Sequence, residues 1–184
     1  MNLDAQSVEN DRLAFDLAAL GYPGFSYLTA CSKRNPAEVV LSALQVVNLD
    51  SRVVEALPWV LLECADLDWE SLLREAILRG LQNKLGFLTN VARRLAEASG
   101  RVQTAERLRQ CEAVLERSRL MTEETLCHDS LTQVERTWLR SNRSKEAEYW
   151  DLLTDLSPEQ LSHISLNPEP ESITSLAESG SEKV

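Results

Sequence analysis

Cys127 and His128 are the one neighbouring thiol and imidazole in a chain with only two histidines. Such a pair has the atoms for a nucleophile and its base, or for two metal ligands. Adjacent residues point to different faces, however, and no second pair stands at ligand spacing. The four cysteines, at 31, 64, 111 and 127, show no CxxC pairing. They are expected as reduced thiols, with Cys127 buried and His128 at the surface. Asp66, Asp68 and Glu70 are hard oxygen ligands in one short run. They lack the glycine and distal glutamate of an EF-hand loop, and helix capping by Asp68 accounts for them. Neither GxGxxG nor a GxxxxGKS/T loop occurs, so no phosphate cradle of the usual kind is expected. These residues assign no catalytic centre, no metal and no cofactor.

Binding chemistry is better represented. Gln82, Asn83 and Lys84 interrupt a leucine-rich rod just before Leu85-Gly86-Phe87, which marks them for a polar network or a partner contact. Tryptophan is enriched among interface anchors; Trp59 and Trp69, set among leucines, read as core, whereas Trp138 and Trp150 are candidates for a partner surface. The net charge of −10 is unevenly spread. Residues 79–119 carry nine Lys/Arg against four Asp/Glu, inside strongly acidic flanks. Arg93, Arg94, Arg101, Arg107 and Arg109 therefore form either a basic face for a partner or phosphate backbone, or the counter-charge of the chain's own carboxylates.

The elements that hold these residues are helical. Leu, Ala, Glu and Arg dominate, with six glycines and six prolines, and alternating β-branched runs are missing. The periodicity predicts an all-α bundle of about six to eight helices, with a helical core over 8–100, a helical extension over 101–164 and a disordered acidic tail over 165–184. A first helix is expected over 8–20, stopped by Gly21, before a Tyr22-Pro23-Gly24-Phe25 turn. Asn35-Pro36 and Asp50 start the next two, the second meeting Pro58. Asp68 starts a fourth. Leu81, Leu85, Leu88, Ala92 and Leu95 then form a heptad-like seam up to Gly100, and a further helix spans 101–121. Later starts fall at Asp129 or Ser130, at Ser144 for a helix holding Trp150, Leu152 and Leu153, and at Ser157 with Gln160 at N3. No secretory signal and no run approaching the roughly 20 apolar residues of a membrane span is read, which predicts a cytoplasmic protein that does not enter membranes.

The tract LDSRVVEALPWVLL, with LDWESLLREAILRGLQNKLGF after it, resembles helical segments of small bacterial regulator or antitoxin-type proteins. The likeness covers residues 49–87 and rests on Arg52, Glu55, Pro58, Trp59, Gln82, Asn83, Gly86 and Phe87. It implies a noncatalytic regulatory or antitoxin-like accessory subunit of a bacterial cytosol. A protein partner or self-association is expected. A transcriptional regulator that meets nucleic acid through 79–119 is the second expectation, although residues 1–48 offer no basic recognition helix.

Overall fold

The computed structural model describes residues 3–29 and 32–161. The expected acidic tail at 165–184, the end of the extension beyond Leu161, and Cys31 lie outside the described residues. Among the described residues eight α-helices run in the order α1 Leu3–Leu20, α2 Pro36–Gln45, α3 Ser51–Glu63, α4 Trp69–Leu78, α5 Gln82–Ala98, α6 Val102–Glu116, α7 Gln133–Asn142 and α8 Lys145–Tyr149. The fold is the all-α bundle expected. Among the described residues no helix is long and apolar enough to cross a membrane.

Local hydrogen-bonding chemistry sets most helix starts. Asn35, Asp50, Asp68 and Ser144 each accept a backbone N–H of the first turn that follows, which satisfies a donor the helix itself leaves free. Gly80 and Gly100, at φ 69° and 73°, end α4 and α5 in the left-handed region that favours glycine. Pro58 stays inside α3 and starts no new turn; it is buried with Leu57, Trp59 and Val60 around it, so packing holds the helix through a residue that donates no bond.

α5 is the central rod. Leu85, Leu88 and Ala92 are fully buried and Leu81 and Leu95 nearly so, so the heptad-like seam is spent on packing within the chain. One apolar cluster gathers Leu13 and Leu17 of α1, Leu57 and Val60 of α3, Leu108 and Leu115 of α6, and Trp150 and Leu152 beyond α8. Residues 101–161 thus share the core built by the first hundred. Gly86 is where this closes most tightly, because a Cβ there would lie 2.7 Å from Cε3 of the Trp150 indole and nearer still to Cη2 and Cζ3.

Several expected boundaries move. α1 begins at Leu3 rather than Val8, and α6 ends at Glu116 rather than Met121. α7 starts from Thr132, whose hydroxyl and Glu135 form a reciprocal capping box, rather than from Asp129 or Ser130. The helix from Ser144 stops at Tyr149, and Leu152–Leu153 instead forms a parallel two-residue strand (β2) with Glu124–Thr125 (β1), Glu124 facing Leu152. At Ser157 the chain makes turns, although Gln160 does return its Oε1 to the Ser157 amide at 3.0 Å.

Candidate interaction cleft

The β1–β2 pair belongs to a larger laced floor. Glu124 N–H donates to Asp151 at 3.0 Å and Leu126 N–H to Leu153 at 3.4 Å. On the other side Leu49 N–H donates to Cys127 at 2.8 Å, and Asp129 N–H to Val47 at 3.0 Å. Three segments from distant parts of the sequence therefore lie side by side, at 47–49, 124–129 and 151–154. Asn10 of α1 fixes the first of them, accepting from Asp50 N–H at 2.8 Å and donating to the Asn48 carbonyl at 3.2 Å. Cys127 and Asp151, at φ 56° and 54°, adopt left-handed backbone next to β1 and β2. Such conformations cost about 1–3 kcal/mol each and gather at functional sites.

Above this floor opens a cleft of about 890 Å³. Leu49, Val54, Leu126, Leu139, Leu153 and Leus at 131 and 156 give it an apolar lining, and α7 forms one wall. Trp138 lines that wall and remains 57% exposed. Its polar lining includes Asp50, Glu55, His128, Glu135 and Asp155, which form the rim. Asp50 and Glu135 also serve as caps, accepting from Arg52 N–H at 2.8 Å and from Thr132 N–H at 2.7 Å. The Thr132 hydroxyl and amide bonds hold the Glu135 carboxyl below its ordinary range, so it is charged at neutral pH. Among the described residues no lysine or arginine lines this cleft.

No family model matches the chain, and neither a curated protein nor a solved structure does.

The Cys127 thiol is buried, with its Sγ 3.7 and 3.8 Å from the carbonyl oxygens of Ala43 and Leu44. Burial pushes it up to about 11, which removes almost all thiolate at neutral pH. His128 sits exposed beside it. In the acidic run, Asp68 caps α4 through Ser71 N–H at 3.0 Å and Asp66 pairs with Lys33 at 3.1 Å.

The polar tract at the start of α5 is turned inward. Asn83, fully buried, both donates to the Leu120 carbonyl at 2.8 Å and accepts its N–H at 2.9 Å. Gln82 donates to Ser118 at 3.0 Å, and Lys84 reaches the Leu44 carbonyl at 3.5 Å and Glu124 at 3.6 Å. This is a polar network that staples the stretch after α6 onto α5. Because those side chains are spent on the chain's own backbone, they offer little to a partner.

Most arginines of 79–119 are likewise committed. Arg93 pairs with Glu112 at 2.8 Å and Glu97 at 2.9 Å, Arg109 with Glu97 at 2.9 Å, and Arg94 with Glu146. Arg101 is buried against Glu63. Arg107 is exposed and forms no ion pair among the described residues. The basic middle is therefore largely the counter-charge of the protein's own carboxylates. Of the two outer tryptophans, Trp150 is fully buried and belongs to the core, while Trp138 stays at the surface. Glu55, which could have paired with Arg52, does not: Arg52 lies over the Phe25 and Tyr27 rings at 5.3 and 5.8 Å.

Sequence reading missed Glu55 and Asp155 as rim residues, and it missed the floor. Nothing in the local pattern announces a cleft whose three floor segments meet only through long-range backbone bonds. The Thr132-x-x-Glu135 capping box was a readable signal for the α7 wall.

Proposed function

We propose that this is a noncatalytic protein-interaction protein, and that a segment of its partner docks in the cleft beside α7. The observation that carries this reading is Trp138, 57% exposed on the wall of an apolar cleft of about 890 Å³. Tryptophan is enriched among the residues that carry binding energy at interfaces, and this large, stiff ring is left half in water beside leucines. The regulatory or antitoxin-like accessory role implied by the resemblance of residues 49–87 fits it, as does a cytoplasmic setting. The burial of the Cys127 thiol, which pushes it up to about 11, supports the noncatalytic part.

The test places a photo-crosslinking benzoylphenylalanine at position 138, identifies the crosslinked protein and reconstitutes the complex from purified parts. Trp138→Ala should weaken that complex about thirtyfold, the loss of a hot-spot anchor of about 2 kcal/mol, with thermal stability unchanged. A reconstituted complex indifferent to Trp138→Ala would overturn the proposal.

A further inference from the structure

We infer that the cleft is built for a partner segment that carries Lys or Arg between large apolar residues; this rests on the interaction reading above. Charge complementarity is the ground. Among the described residues Asp50, Glu55, Glu135 and Asp155 line the cleft with no lysine or arginine beside them, whereas Glu63, Glu97, Glu112, Glu123 and Glu146 are each matched by an arginine. Asp50 and Glu135 already hold helix starts. Glu55 and Asp155 have no hydrogen-bond or ion-pair partner among the described residues. Negative charge set against low-dielectric walls focuses the field and raises the local concentration of cations. The apolar floor and Trp138 then ask for aliphatic residues on either side of the cation, and Trp138 offers the cation a ring face.

Other occupants fit less well. The chain's own segment after Leu161 carries four glutamates and one lysine, and a second copy brings a net charge of −10. Both meet the rim with like charge.

The probe is a fluorescein-labelled twelve-residue peptide alternating Leu and Arg, titrated with the full chain and read by anisotropy at low and moderate salt. A peptide with Glu in every Arg position is the comparison. The Arg peptide should bind, more weakly as salt rises, and the Glu peptide should not. Glu55→Gln with Asp155→Asn should weaken binding about tenfold, about threefold for each rim charge, and flatten the salt dependence. Removing two exposed charges on remote helix starts, Glu38→Gln with Glu70→Gln, should change little. Trp138→Ala should weaken binding at every salt concentration.

Equal binding of the Glu peptide, or an equal loss from the remote pair, overturns the charge inference. If Trp138→Ala still weakens the complex in that case, the interaction reading stands without it. Binding indifferent to Trp138 and to the rim alike sinks both. Spermine binding as tightly as the peptide would replace the partner segment with a small polycation, and a crosslink from position 138 into this chain's own 162–184 would replace it with an internal ligand.

Discussion

Gly86→Ala sets two opposed effects against each other, and the structure says which wins. In an ordinary helix interior alanine is better than glycine by about 1 kcal/mol. At position 86 the new Cβ would lie 2.7 Å from Cε3 of Trp150, with Cη2 and Cζ3 closer. An ordinary carbon contact is about 3.5–4.0 Å, so the indole must retreat by about 1 Å. Trp150 is fully buried, and a core packed to crystal density yields little room. Overpacking costs about 1–3 kcal/mol, and a displacement of this size belongs at the upper end. The net expectation is a loss of about 2 kcal/mol, or about 4–8 °C in Tm for a domain of this size. Urea unfolding followed by circular dichroism measures it. Trp150→Phe is the matching probe, since it removes the contacting benzo ring, and the indole Nε1 has no acceptor to lose among the described residues. In the double variant the two losses should fall short of their sum by about 1 kcal/mol or more. A Gly86→Ala protein as stable as its parent, or stabilities that add, would refute the close packing of Trp150 on α5.

Two further outcomes follow from buried charges. Arg101→Met leaves the Glu63 carboxylate, with only 4% of its side chain exposed, without its guanidinium; the loss should be about 3–5 kcal/mol, and Arg101→Met with Glu63→Leu should recover most of it. Equal losses from the single and double variants in urea unfolding would contradict that. Glu124 has its carboxyl raised by burial, against the opposing pull of Lys84, so between the ordinary carboxylate value and its folded value the native state holds more protons than the unfolded chain. Its contribution to stability is therefore present in acid and lost as pH rises through that window. The Tm of Glu124→Gln relative to the parent should accordingly climb between pH 4 and pH 7, and a difference that shrinks over the same range would reverse the assignment.

Much of the architecture was legible because helix starts are local events. Asn35, Asp50, Asp68 and Ser144 each satisfy an amide two or three residues away, and apolar spacing alone places Leu81, Leu85 and Leu88 inside. What escaped depends on partners far along the chain. A two-residue strand has no periodicity to read, so Leu152–Leu153 looked like more helix until Glu124–Thr125 supplied its ladder. Trp138 and Trp150 are indistinguishable by local sequence; Gly86 draws one of them inside. Which of the two roles the arginines of 79–119 take is hidden for the same reason, because Glu63 and Glu146, which meet Arg101 and Arg94, lie in other elements.

The packing of Trp150 on Gly86 also has a consequence in time. The two residues are about 64 positions apart, and a ribosome adding about 5–20 residues per second needs about 3–13 s to pass from one to the other. Throughout that interval the nascent α5 presents an unsealed notch at Gly86, along with the leucines beside it. The helices before residue 100 can gather early, but the arrival of the indole is what closes the molecule, so the emergence of Trp150 sets the moment at which its middle ceases to be sticky.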